Sequence, residues 1–318
     1  MTLVVYQAWD SSWAGLALRA PGTSNAPRRE KRESREQLSP EEASQLRAKV
    51  SQQGEEVSLQ RDGVSQLRGD YFEMLAGLGN TKQIGSLTAT EELVDLCRIG
   101  QDSYVLDVGC GVGATPIYLA KRYGCRVVGV DITAKMIARS NERLRGTGLG
   151  SKVEFRVADA QDLPFEDATF DAVMAESVLA FIDDRQATLR EWMRVTKPGG
   201  YVGFTEATWT KTPPKYLDEY MYRTTAGQVE VAEVWEQLLK GSGLVDMVAV
   251  SYKVDMKAEA SGRIERLGLK SVLAVFPRML SVLFKNPGSR MIMTSALSVP
   301  KSAFEYMGYG VYAGRKGE

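Results

Sequence analysis

The chain has 318 residues, 44% of them hydrophobic, and 40 lysines and arginines balance 40 aspartates and glutamates. This length fits one large α/β domain with an appendage, or two modest domains, and the neutral charge excludes a chain-wide attraction to nucleic acid. No histidine is present, which excludes histidine-based triads and histidine metal sites. Any general base must therefore be a carboxylate, a tyrosine, a lysine or water, and we predict no metal site.

Three cysteines in 318 residues, with no CxxC pair, do not suggest a disulfide framework and favour a reducing, cytoplasmic compartment. The first residues lack a basic stretch before their apolar run, so no secretory signal is predicted. No apolar run approaches the roughly 18–20 residues that a membrane helix needs. Residues 1–38 are rich in Pro, Gly, Ser and alternating charges in their second half, and we expect a poorly ordered tail.

Residues 39–87 are predicted to form a helical segment that contributes to a ligand pocket. Ser39 is suited to cap its first helix, Pro40 fits the first turn and Glu42 completes a capping box. A regular domain is predicted over 88–318.

This domain alternates short apolar runs with helical patterns. The predicted strands are 104–109, 126–131, 152–159, 170–176, 201–207, 244–254 and 304–316. The predicted helices are 89–97, 115–124, 133–146, 184–196 and 231–243. Such alternation is typical of βαβ units with a mostly parallel sheet. Residues 257–299 interrupt it as two or three amphipathic helices, far longer than an ordinary loop, and we expect them to form a lid over the mouth of a site.

The stretch "VLDVGCGVG" (105–113) joins the first strand to its helix. Gly109, Gly111 and Gly113 permit tight backbone angles and close approach of a ligand, and the start of the helix offers N–H groups. The spacing also satisfies the G-x-G-x-x-A pattern of dinucleotide-binding proteins. From the glycines alone, an NAD-dependent oxidoreductase remains an alternative.

Acidic residues at three successive strand ends favour a different ligand. Asp107 precedes the glycines by two residues, where it would repel a pyrophosphate and attract an ammonium or sulfonium group. Asp131 ends the second strand and could accept hydrogen bonds from ribose hydroxyls, of NAD and of S-adenosylmethionine alike. Asp159 ends the third strand, where its carboxylate or neighbouring backbone could meet an adenine amino group. Together they favour S-adenosylmethionine.

Five segments together resemble the motifs of class I S-adenosylmethionine-dependent methyltransferases: "VLDVGCGVGATPIYLA", "VVGVDIT", "ADAQDLPF", "FDAVMAESVL" and "RVTKPGGYV". The resemblance covers about residues 90–207 and is nearest to enzymes that methylate quinone precursors, sterols, tocopherols and phosphoethanolamine. It implies a Rossmann-like seven-stranded sheet, parallel except for a reversed final strand, with helices on both faces. The family's cofactor contacts map onto Asp107, Gly109, Gly111, Asp131, Ile132, Asp159, Ala160 and Glu176.

Residues before the first motif often complete the methionine pocket in this family. Gly85, Ser86 and Thr90 are the candidates for contact with the carboxylate of the methionine, and Tyr71 is the candidate to cover the cofactor. Cys110 lies within the glycine turn, and we expect it to contact the cofactor through its backbone rather than its thiol.

The implied reaction is in-line transfer of a methyl group to a small molecule. Without histidine, acceptors that need little deprotonation are favoured, such as an amine or an activated carbon, and Glu206 is the first candidate for a base. A non-catalytic cofactor-binding module remains a further alternative. The fourth motif reads "AESV" instead of the [DN]PP[YF] tetrad of nucleic-acid amino-methyltransferases, so no nucleic acid is predicted as substrate.

The predicted lid is basic and apolar, with eight Lys/Arg against three Asp/Glu over 255–301. Such a segment could cover an apolar or lipid-like acceptor, or rest on an anionic membrane surface. Oligomeric state cannot be derived from these patterns.

Overall fold

The computed structural model describes residues 65–78, 85–254, 300 and 302–318. The chain divides into two units, Met1–Gly54 and Glu55–Glu318, and every described residue belongs to the second. The predicted tail at 1–38, the helix at 39–50, and the lid with its proposed lipid contact at 257–299 lie outside the described residues.

One sheet contains all strands of the described chain. Their bounds are β1 Tyr104–Val108, β2 Arg126–Asp131, β3 Val153–Val157, β4 Phe170–Glu176, β5 Thr196–Trp209, β6 Glu230–Val231, β7 Val245–Lys253 and β8 Met307–Arg315. The order is β3–β2–β1–β4–β5–β8–β7, and the two-residue β6 pairs with β5 off this path. Strand β8 runs antiparallel to β5 and β7, whereas the other pairs are parallel. The prediction of a mostly parallel seven-stranded sheet with a reversed final strand is confirmed, and β6 is an addition.

The helices connect these strands. Helix α1 covers 65–78, and the others are α2 Ser86–Leu96, α3 Ala114–Tyr123, α4 Ala134–Leu144, α5 Arg185–Val195, α6 Lys215–Thr225, α7 Ala232–Lys240 and α8 Ala303–Tyr306. A 3-10 turn, Leu179–Phe181, follows β4. Helix α6 was not predicted, and β5 begins five residues earlier than expected because it follows α5 directly.

Apolar layers cover both faces of the sheet, as a parallel sheet requires. On one face, the side chains of Trp192 and Trp235 from α5 and α7 are fully buried with Phe204 and Tyr312 of the sheet. On the other, Leu93 of α2 and Leu119 of α3 pack on the sheet. An aromatic side chain buries roughly 150–250 Å², so these layers stabilise the sheet. The carboxyl ends of β1 to β4 meet at one edge of this stabilised sheet.

None of the helices in the described part of the chain has the length and apolar character that crossing a membrane requires.

Candidate functional site

A cleft lies beyond the carboxyl ends of β1 to β4, where an open α/β sheet binds ligands. It consists of a smaller lobe of about 80 Å³ and a larger lobe of about 380 Å³, the latter within the range of small-molecule sites. Six residues line both lobes, which are therefore parts of one cleft: Phe72, Gly109, Asp131, Met136, Ser177 and Phe181.

The glycine turn forms the floor of the smaller lobe. Gly109 and Gly111 have φ angles of 71° and 55°, a conformation that favours glycine. A Cβ atom on Gly109 would collide with the side chain of Val178. Both glycines line the smaller lobe, so the backbone of this turn borders the cleft.

Gly113 serves packing instead. It lines neither lobe, and with φ of 75° it begins α3. A Cβ atom there would lie 2.6 Å from Cζ of Phe155 and 2.8 Å from Cβ of Ser140. The structure therefore places Gly113 outside the cleft, where it lets α3 start close to β3 and α4.

Asp131 lies where the two lobes meet. Its Oδ2 accepts a hydrogen bond from the N–H of Gly111 (3.0 Å), and its Oδ1 accepts one from the N–H of Thr133 (2.8 Å). A carboxylate has roughly four acceptor positions, so two remain for hydroxyl groups of a ligand. Burial raises the pKa of Asp131. The hydrogen bonds from the two N–H groups lower this pKa, but the effect of burial is larger. The carboxylate is thus oriented by the protein before any ligand arrives.

Two further carboxylates line the smaller lobe, Asp107 and Glu176. The hydroxyl of Thr90 donates to Oε1 of Glu176 (2.7 Å), and that of Thr115 donates to Oε2 (2.6 Å). Two hydroxyl groups therefore fix both oxygens of Glu176. With Asp131 at its edge, the lobe concentrates negative charge, and it suits a cationic ligand group.

The larger lobe is lined by the predicted adenine-side residues Ile132, Asp159 and Ala160. Ile132 is 60% exposed although it is a large apolar side chain, and it offers a surface for a flat ring. Asp159 is already used locally, because its Oδ1 accepts from the N–H of Gln161 (2.9 Å). One free carboxylate oxygen and the adjacent backbone remain available to a polar ring edge.

An aromatic cluster of Tyr71, Phe72 and Phe181 covers the cleft. The Tyr71 and Phe181 rings stack with centroids 5.8 Å apart, and Phe72 meets Phe181 edge-on at 5.2 Å. Arg68, one turn earlier on α1, forms an ion pair with Asp183 (2.8 Å). Tyr71 lines the smaller lobe, and the cluster joins α1 to the turn after β4.

The other upstream candidates lie apart from the cleft. Gly85 and Ser86 begin α2 and line neither lobe. Gly85 has φ of 102°, and a Cβ atom there would meet Ala89 and Tyr309, so its role is close packing. Thr90 is fully buried, and its hydroxyl reaches the site through Glu176. Direct cofactor contact by these three residues is not supported.

Comparison with known proteins agrees with this geometry. Residues 106–204 match the family described as "Methyltransferase domain". Phosphoethanolamine N-methyltransferase 1 of Arabidopsis thaliana is 32% identical over 179 residues, which is 56% of this chain and 36% of that protein.

Residues 106–204 of this chain therefore match a methyltransferase domain. The resemblance read from the sequence motifs is confirmed, and nothing among these relatives supports the oxidoreductase alternative.

Solved structures share the fold of the methyltransferase domain. Phosphoethanolamine N-methyltransferase 2 of Haemonchus contortus, in complex with phosphomonomethylethanolamine and S-adenosylhomocysteine, is 20% identical with a TM-score of 0.57. That match covers 78% of this chain and 57% of the other. The [4+2]-cyclase SpnF is 20% identical with a TM-score of 0.60, over 79% of this chain and 94% of the other. The chain spans about a third of the length of the plant relatives it matches.

The residues of the methyltransferase domain fit S-adenosylmethionine. Gly109 and Gly111 line the smaller lobe without side chains, so a ligand can approach the backbone of the turn. Asp107 and Glu176 offer negative charge for its ammonium and sulfonium groups, whereas a pyrophosphate would be repelled there. Asp131 keeps two acceptor positions for the ribose hydroxyls. The donor set, rich in carboxylates, therefore suits this cation better than a dinucleotide.

Cys110 lines the smaller lobe but is buried, as are Cys97 and Cys125. Burial raises the pKa of the Cys110 thiol well above its ordinary value, and the charges of Asp107 and Asp131 raise it further. A neutral thiol is a poor nucleophile.

We expect none of the three thiols in the folded methyltransferase domain to react with a thiol reagent such as DTNB within minutes at pH 8. All three should react once the chain is unfolded in guanidinium chloride. Rapid labelling of one thiol in the native protein, mapped to Cys110, would show that the turn is open or that the thiol is ionised.

Glu206 does not occupy the position of a base. It is 1% exposed and lines neither lobe. Its Oε1 accepts hydrogen bonds from the backbone N–H groups of Val178 (2.7 Å) and Leu179 (2.6 Å). Burial raises its pKa to about 7, against the lowering effect of these N–H groups. The Oε1 atom of Glu206 therefore faces the turn after β4, and the structure does not bring this candidate base into the cleft.

Sequence reasoning missed part of the lining of the cleft: Arg68, Phe72, Thr115, Met136, Ser177 and Phe181. Thr115 and Ser177 had a signal, since each lies within a segment recognised as a motif. The others come from helices and a turn far apart in the chain, and only packing brings them together.

Proposed function

We propose that this protein transfers a methyl group from S-adenosylmethionine to a small-molecule acceptor. One observation carries the proposal: within a methyltransferase domain, a single cleft gathers the bare glycine turn and acidic residues from the ends of β1, β2 and β3. The name of the Arabidopsis relative and the ligands of the Haemonchus structure support a small molecule as acceptor.

The residues of the cleft act by binding and orientation. When bound, S-adenosylmethionine supplies a methyl group attached to a positively charged sulfur, and the sulfur leaves as a neutral thioether as the methyl group passes to the acceptor. Asp131 would hold the ribose. The backbone at Gly109 and Gly111 would receive the methionine part. Asp107 and Glu176 neutralise its positive charges. Tyr71 and Phe181 exclude water, which strengthens the electrostatic contacts inside.

We assign no residue of the described cleft to remove a proton from the acceptor, because its carboxylates serve the cofactor. Burial raises the pKa values of Tyr71 and Cys110, so neither is ionised at neutral pH. The carboxylates assigned to the cofactor are Asp107, Asp131, Asp159 and Glu176. Asp131 and Glu176 also accept hydrogen bonds from the protein. We therefore infer an acceptor that reacts without a protein base, first an amine nitrogen and second an activated carbon. An apolar or lipid-like body for that acceptor, and a contact of residues 257–299 with it or with a membrane, remain proposals from the sequence alone.

We also propose that the protein works in the reducing cytoplasm, because all three cysteines are free. Nucleic acid is not proposed as a substrate, since the chain has no net charge.

The test is formation of S-adenosylhomocysteine from S-adenosylmethionine carrying a labelled methyl group, with a panel of acceptors. The panel contains a phosphorylated amino alcohol, an apolar amine, an apolar enol and a phenol. We expect label transfer above the acceptor-free rate with an amine or the enol, and none with the phenol, which needs a base. Label transfer that stays at the acceptor-free rate with every class would favour the non-catalytic module.

A further inference from the structure

We infer that Glu206 is a positioning residue, whose buried carboxylate holds the turn after β4 in the conformation that forms one wall of the cofactor cleft. The inference rests on the proposed function for its role in binding, but its structural core is independent of it. It replaces the role of a base with a different one for the same side chain.

The backbone after β4 forms a small anion-binding concavity. Ser177 has φ of 60° although it is not glycine, and Val178 follows in the right-handed helical region, with φ of −116° and ψ of −46°. A left-handed residue beside a right-handed one turns successive N–H groups toward a common point, which suits an anion. Here the anion belongs to the protein itself, because Oε1 of Glu206 accepts from Val178 and Leu179.

Strand β5 therefore accepts hydrogen bonds from three successive N–H groups of this turn. The N–H of Ser177 donates to the carbonyl of Thr205 (2.8 Å), and the next two donate to Glu206. A non-glycine residue at positive φ is strained and persists only where its surroundings enforce that conformation. The hydrogen bonds from β5 supply that enforcement.

The turn that these hydrogen bonds hold forms part of the cleft. Ser177 and Phe181 line both lobes, and Val178 lines the larger one. The Val178 side chain lies where a Cβ atom of Gly109 would be, so it packs directly on the glycine turn. Phe181, at the end of the 3-10 turn, stacks on Tyr71. Displacement of the turn would disturb the floor and the cover of the cleft together.

The first arm of the test measures S-adenosylhomocysteine affinity and steady-state kinetics at pH 8 for the full chain and three variants. Glu206→Leu leaves two N–H groups without an acceptor, and we expect roughly 10- to 100-fold weaker binding and a raised KM for S-adenosylmethionine. Glu206→Gln keeps an acceptor oxygen and should bind within about threefold of the wild type. Thr205→Val is the matched control. It is a buried neighbour on β5 whose hydroxyl has no hydrogen-bond partner in the described chain, and we expect unchanged binding.

The second arm needs no cofactor. Amide hydrogen exchange in the free protein should show protected N–H groups at Val178 and Leu179. In Glu206→Gln both should exchange roughly tenfold faster, because a neutral acceptor is weaker than a carboxylate. The amide of Leu189 in α5 should not change. This arm also decides the matter if Glu206→Leu fails to fold.

The inference is overturned if folded Glu206→Leu binds as tightly as the wild type, or if Gln and Leu weaken binding equally. Unprotected amides at 178 and 179 in the wild type, or equal exchange rates in Glu206→Gln, would also overturn it. If the wild type binds no S-adenosylhomocysteine while the amides behave as expected, the proposed function fails and the anchoring by Glu206 stands.

Discussion

Replacement of Asp131 by alanine is expected to weaken binding of S-adenosylhomocysteine by roughly 100-fold or more. Hydrogen bonds to a charged group contribute about 1.5–3 kcal/mol each, and Asp131 has two acceptor positions left for ribose hydroxyls. It also orients the glycine turn through the N–H of Gly111. Both contributions disappear in Asp131→Ala, and isothermal titration calorimetry measures the sum.

Two companion variants separate these contributions. Asp131→Asn retains one acceptor oxygen, so we expect a smaller loss of affinity than in Asp131→Ala, about tenfold. Asp162→Ala alters an exposed acid near the cleft that lines neither lobe, and it should leave the affinity unchanged. Equal affinity of Asp131→Ala and the wild type would refute the assignment of Asp131 to the ribose.

Replacement of Gly109 by alanine is expected to destabilise the free protein by about 2–5 kcal/mol and to weaken cofactor binding. About 1–2 kcal/mol arises from the left-handed conformation, and about 1–3 kcal/mol from the added methyl group, which would collide with Val178. Such a loss is a large share of the roughly 5–15 kcal/mol that a domain possesses. Urea unfolding of the free protein gives the first effect, and calorimetry gives the second.

Two other glycines are matched controls for Gly109→Ala. Gly148 has φ of 75° but open space around its Cβ position, so Gly148→Ala should cost only the backbone strain, about 1 kcal/mol. Gly150 has open space without a positive φ, and Gly150→Ala should be neutral or slightly stabilising. If Gly109→Ala costs no more than Gly148→Ala, the contact with Val178 is not a tight one.

The sheet could be predicted because local patterns determine it. Buried parallel strands such as β1 and β2 are short apolar runs, and the acids that end them mark the sheet edge directly. Asp107, Asp131 and Asp159 therefore came from the sequence with their correct place in the cleft. In contrast, the short β6 and the helix α6 lie where the alternation of strand and helix breaks down.

The roles of individual side chains depended on packing across the sheet. Gly113 shares its spacing with Gly109, yet contacts with Phe155 and Ser140 determine its need for glycine. Glu206 ends a strand as Asp131 does, but the positive φ at Ser177 turns two backbone donors toward it. The cover by Phe72 and Phe181 joins residues 109 positions apart. The hydrophobic periodicity and the composition of the sequence carry no information about such contacts.

The central claim is that the cleft binds S-adenosylmethionine rather than a dinucleotide. The most direct measurement is the shift in melting temperature of the full chain with S-adenosylmethionine, S-adenosylhomocysteine, NAD and NADH, each at the same concentration. A ligand that binds only the folded state stabilises it, by about 2.7 kcal/mol at 100 times its Kd. We predict a rise of several degrees with the first two ligands, absent in Asp131→Ala, and no rise with the others. Stabilisation by NAD or NADH alone would contradict the account.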